Sequence, residues 1–198
     1  MTTETMKYID QLDKVCVVID MEGFKVCKKF VVRELGWCDY RGVECEAFQY
    51  RPKLPFSALT PQDQRAARYL KRSVHGLSYY PRTWEAHEVD DVCKDVVNVY
   101  MRHKSQQRQY VGYKGGHYEK DLLRNLHIPS FNLELAGCPR FDQMPRLCTM
   151  ASCGEHVDPV KHHCAKVECY HFVQWVRAQR SLKYDCNFVN IERLNRFV

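Results

Sequence analysis

The stretch Val17-Val18-Ile19-Asp20-Met21-Glu22-Gly23 decides how the rest of the chain is read. Three β-branched apolar residues run straight into Asp-x-Glu, as a buried strand does when it delivers two acidic side chains to its end. Residues two apart on a strand share a face, so Asp20 and Glu22 converge on one spot. Two carboxylates meeting beside a dry sheet repel unless a proton or a cation sits between them. Magnesium or manganese is the usual cation and a phosphate the usual substrate. A strand ending in a charged turn would use the same residues, so the motif needs company.

That company comes from the flanking pattern. Residues 15–20 read as the first strand of a meander, with 30–38 and 44–50 as the second and third. Arg51-Pro-Lys-Leu-Pro55 breaks it. Thr60 before Pro61 predicts a capped helix to about residue 72. Val89, Val92, Cys93, Val96 and Tyr100 share one face of a helix over 88–103. A fourth strand is expected at 109–114, turned by Gly115-Gly116 into a helix over 117–126. A fifth strand follows at 130–135, and a last helix begins near His163. Three strands, two helices, then strand, helix, strand, helix is an α/β order with a mixed sheet. It fits an RNase H-like fold with the first strand central.

The chain has 198 residues, 45% of them hydrophobic, enough for one domain with a real core. Its net charge of +6 mildly favours a polyanionic partner. Small basic groups such as Lys25, Lys28 and Lys29 lie near aromatic residues, which suits stacking on single strands. The polar N-terminus does not read as a signal peptide, and no apolar run could span a bilayer. The expectation is an intracellular protein, cytoplasmic or nuclear, with no membrane partner. Disulfides rarely persist there, yet there are eleven cysteines. Cys16, Cys27, Cys38, Cys45, Cys93 and Cys186 are scattered and read as small buried apolar residues. Cys138, Cys148, Cys153, Cys164 and Cys169 are interleaved with histidines, which favours a metal. Zinc suits nitrogen and sulfur donors. Cys153-x2-His156 has ligand spacing, and Cys164 at a helix start is prone to ionise. Glu119, Cys148, Cys138 or His162 could supply the fourth donor.

With the elements in this order, residues 14–178 resemble the DnaQ-like 3′–5′ exonuclease superfamily. Val-Ile-Asp20-Met-Glu22-Gly looks like its first motif, and Val-His75-Gly76-Leu77 like its His-Gly element. Tyr118-Glu119 stands where the second motif has Phe-Asp, and His163-Cys-Ala-Lys-Val-Glu168 resembles His-x4-Asp. The resemblance implies metal-dependent hydrolysis of phosphodiesters in single-stranded nucleic acid, RNA rather than DNA. Asp20, Glu22, Glu119 and Glu168 would hold magnesium or manganese, and His163 would act as the base. Two positions carry Glu for Asp, and Gly115-Gly116 replaces the usual His-Asn. The chain also resembles the Maelstrom domain, whose Glu-Cys-His-Cys zinc site would correspond to Glu119, Cys153, His156 and Cys164. That likeness implies the alternative, a catalytically inactive, zinc-stabilised RNA-binding or scaffold domain. Residues 1–13 then read as an extension and 179–198 as an appendage.

Overall fold

The computed structural model describes residues 3–145, 150–156 and 163–194, with side chains over 7–145, 150–156 and 163–181. Cys148 and His162 lie outside them. Six strands form one mixed sheet: β1 (Val15–Val26), β2 (Lys29–Asp39), β3 (Cys45–Arg51), β4 (His87–Glu88), β5 (Tyr110–Tyr113) and β6 (Ser130–Asn132), in the order β4-β3-β2-β1-β5-β6. β2 pairs antiparallel with both β1 and β3, while β1–β5, β5–β6 and β3–β4 are parallel. β2 alone therefore runs against the rest, the RNase H-like arrangement, with β1 central. The five helices are α1 (Thr3–Asp13), α2 (Pro61–Ser73), α3 (Val92–His103), α4 (His117–Asn125) and α5 (Ala165–Leu194).

Alternation along β1 sorts its side chains between two cores. Val17, Ile19 and Met21 join Leu35 and Trp37 of β2 under Val92, Val96 and Val99 of α3 and Leu123 of α4. Val18 and Cys38 face the other way, against Leu12 of α1 and Phe172, Val173 and Val176 of α5. Asp20 and Glu22 continue the Val18 row, so both carboxylates point to the α5 side. Gly36 on β2 lets α5 approach: a Cβ there would stand 2.2 Å from the Ala165 carbonyl carbon. A β-bulge between Glu22 and Gly23 shifts the register of β1 against β2, and pairing resumes to Val26.

Thr60 caps α2 as expected, its hydroxyl accepting from Asp63 N. Residues 3–13 are helical, with Leu12 fully buried. Two local expectations are corrected. Cys38 and Cys45 are not isolated; they face each other in β2–β3 register and form a disulfide. Cys27 and Cys93 are exposed rather than buried. His171 is buried edge-on to Phe141 and donates to Val167 O. Among the described residues no helix is long and apolar enough to cross a membrane.

Candidate metal centre

Two donor clusters lie side by side on the α5 face of the sheet. The first is carboxylate. Asp20 and Glu22 come from the middle of β1, which continues to Val26, Glu119 from the first turn of α4 and Glu168 from the first turn of α5. Glu119 turns back to the sheet, where Oε1 accepts from Met21 N at 3.2 Å. Gly116 makes that possible, because a Cβ there would meet Glu119 Oε2 at 2.1 Å. The donor atoms of Glu22, His163 and Glu168 lie within 4.8 Å of one another, and His163 Nδ1 is hydrogen-bonded to Glu168 Oε1.

The electrostatics of this cluster are unfavourable without a cation. Burial pushes Asp20 well above the usual carboxylate range, and the charges of Glu168, Glu22 and Glu119 push it further. Burial raises Glu22 in the same way, followed by Glu168, Glu34 and Glu119. Burial also raises Glu119, against the hydrogen bonds from its own N–H and from Met21. The hydrogen bond to Glu168 raises His163. Asp20 Oδ2 and Glu119 Oε2 are buried without a hydrogen-bond partner among the described residues. Lys114 lines the cleft beside Asp20, but its ammonium is committed to Glu134 at 2.9 Å. Buried polar atoms are seldom left unpaired, and hard oxygen donors crowded together suit a divalent cation.

The second cluster gathers Glu34, Cys153, His156 and Cys164, one donor atom from each within 4.8 Å of the others. Glu34 is fully buried and sits at its centre. Its carboxylate accepts from Gln49 Nε2 at 2.8 Å, Cys153 Sγ at 2.8 Å and Ala165 N at 2.8 Å, with His156 Nε2 at 3.1 Å. His156 Nδ1 faces the His75 carbonyl, which leaves Nε2 turned to the cluster. The donors compete for protons. The hydrogen bond from Cys153, opposed by burial and helped by His156, lowers the Cys164 thiol to about 6. Burial would lower His156, but the bonds to Cys164 and Glu34 raise it to about 10. One carboxylate, two sulfurs and one imidazole are the donor chemistry of a closed zinc site. Glu155 buttresses the loop: it pairs with buried Arg33 at 2.9 Å and accepts from Arg82 N and Thr83 N.

The structure thus brings Asp20, Glu22, Glu119, Glu168 and His163 into one group and Cys153, His156 and Cys164 into another. It does not bring Glu119 to the sulfurs, because its backbone bond to Met21 holds it on the α4 side. Glu34 stands there instead. Cys138 is packed among Leu133, Ala136 and Met144, where burial raises its thiol to about 12. His75 is buried and held by backbone, donating from Nε2 to Gly23 O and accepting from Leu77 N. Glu34 was missed, although Arg33-Glu34 is a signal: two charges midway along an otherwise apolar strand.

No protein-family model and no curated protein matches the chain. Its structure is similar to solved structures of the Mopeia virus exonuclease domain. One, fully depleted of manganese, matches at TM-score 0.44 and 16% identity, covering 91% of this chain and 87% of that one. Another, partially complexed with manganese, matches at TM-score 0.45 and 13% identity, covering 87% and 84%.

Proposed function

We propose that the chain is a divalent-metal-dependent nuclease domain that hydrolyses phosphodiesters of single-stranded nucleic acid from the 3′ end, RNA in preference to DNA. One observation carries the reading: four carboxylates converge in a buried cleft, and Asp20 Oδ2 and Glu119 Oε2 have no partner among the described residues. Asp20, Glu22, Glu119 and Glu168 would hold magnesium or manganese. When bound, such a cation polarises the phosphoryl oxygen and lowers the pKa of water. The chain's own groups do the rest. His163, half exposed where the cleft opens beside Glu168 and Phe141, takes the proton from the attacking water. Lys25 lines the cleft beside Glu22 and brings positive charge to the phosphate.

The Glu34, Cys153, His156 and Cys164 group would hold a structural zinc. It ties the loop ending at His156 to the start of α5, and Cys164 is the residue next to His163. A zinc held there would therefore fix where His163 stands. A second reading, an inactive zinc-stabilised binding domain, draws on one observation. His163 and Glu168 are bonded to each other, so base and cation ligand occupy one another. Degradation of end-labelled single strands with manganese decides between them. The nuclease reading expects cleavage that is lost in Asp20→Asn, and full activity in that variant would refute the site. Binding of labelled strands without any cleavage would support the second reading.

A further inference from the structure

Helix α2 has the carboxylate cleft on one flank and a second recess on the other. Leu70 lines the cleft with Asp20 and Glu22. Arg68 and Lys71, on the adjoining turns, line an open cavity of about 410 Å³ with Phe56, Tyr79 and Tyr80. The aromatic rings form a chain of edge contacts, Phe56–Tyr79 at 5.4 Å and Tyr79–Tyr80 at 5.2 Å between centroids. Tyr80 is 45% exposed, and its hydroxyl accepts from Phe56 N, which fixes the ring at the rim. The Arg68 guanidinium lies 5.2 Å over Phe56.

Cations predominate around this recess, with Asp63 as the acid between helix and hairpin. Arg65, Arg68 and Lys71 on α2, with Lys25, Lys28 and Lys29 on the β1–β2 hairpin, are all exposed, and none is ion-paired among the described residues. Arg68 Nη2 donates to Gln64 Oε1 at 3.5 Å. Hairpin and helix are joined, since Cys27 N donates to Asp63 Oδ2 at 3.2 Å. Unpaired cations therefore run from the cleft mouth along α2 to an aromatic recess. Phosphates on cations with unstacked bases on rings is the pattern of single-strand recognition, and a duplex has no free base face to offer the recess.

We infer that this recess is a second subsite that takes an unstacked nucleobase of a single-stranded nucleic acid, with flanking phosphates on Arg68 and Lys71. The strand would cross α2 from the carboxylate cleft, so the inference rests on the nuclease reading of that cleft. Binding, measured without turnover, separates the two. The probe is labelled oligouridine of about ten residues, read by fluorescence anisotropy in the Asp20→Asn background. Tyr80→Ala weakens binding roughly five- to a hundredfold, the loss expected for one stacked base. Tyr80→Phe, which keeps the ring but loses the bond from Phe56 N, binds more tightly than Tyr80→Ala. Arg68→Ala/Lys71→Ala, both exposed and outside the core, lowers the salt slope by about 1.4, at ~0.7 per phosphate contact. Undiminished binding in Tyr80→Ala and the double variant overturns the subsite even if the Asp20 protein cleaves normally. No measurable strand binding overturns it too. So does oligoglutamate competing as well as oligouridine, since the occupant is then an acidic protein. Weakened binding without cleavage in the Asp20 protein upholds the subsite and removes the nuclease reading.

Discussion

Replacing Asp20 with Asn should make the metal-free protein less sensitive to rising pH. Asp20 is buried among Glu22, Glu119 and Glu168, and its folded-state pKa stands well above its unfolded value. Between those two values the folded chain holds a proton that the unfolded chain has released, so stability falls as pH rises. The contribution is fully present below about pH 4 and is lost progressively above it. One such proton is worth ~1.4 kcal/mol for each pH unit that lies between the two values. For a chain of this length that corresponds to roughly 3–6 °C in Tm per unit. Thermal unfolding at two pH values one unit apart above the unfolded-state value, with zinc retained and weakly held cations removed, reads the difference. The Asp20 protein should lose that much stability relative to Asp20→Asn. Manganese at about 100 times Kd should then return about 2.7 kcal/mol to the Asp20 protein and far less to the variant. Identical pH slopes for the two proteins would refute the argument that Asp20 is held protonated by its neighbours.

Three further outcomes follow from the same geometry. Glu34→Ala should drop bound zinc from about one per chain to none and lower stability by about 3–5 kcal/mol by orphaning buried partners, whereas Glu119→Gln should keep its zinc; metal analysis and denaturant unfolding decide. Gly116→Ala should displace the Glu119 carboxylate and reduce manganese-dependent cleavage by roughly ten- to a hundredfold while zinc content stays constant; full activity would show that Glu119 does not need its bend. His163→Ala should cost about 10²–10⁴ in rate and remove the limb of the pH–rate profile set by its raised pKa, with strand binding unchanged.

The meander, the Thr60 cap and the α3 face are legible in the sequence because short-range chemistry settles them: alternation, a hydroxyl before proline, helical spacing. The acidic site is legible for the same reason, since Asp20 and Glu22 sit two apart on one strand. Glu34 is not, because its role depends on strand register. It meets Glu22 across β1 and β2 and reaches Cys153 only through the tertiary fold. The Cys38–Cys45 pair is hidden likewise, since each cysteine looks isolated until β2 and β3 are aligned. Helix α1 is hard to read in the sequence because its polar residues outnumber Tyr8, Ile9 and Leu12, which among the described side chains carry its buried side.

Glu22 and Glu34 are direct partners in the β1–β2 ladder. One hairpin therefore carries Asp20 and Glu22 for one cluster and Glu34 for the other. In the language of protein engineering, the hairpin is the smallest transplantable part, and it brings half-finished versions of both clusters with it. Slipping its register by one residue turns Glu34 to the opposite face of the sheet, so the two clusters would have to be inherited, or lost, together.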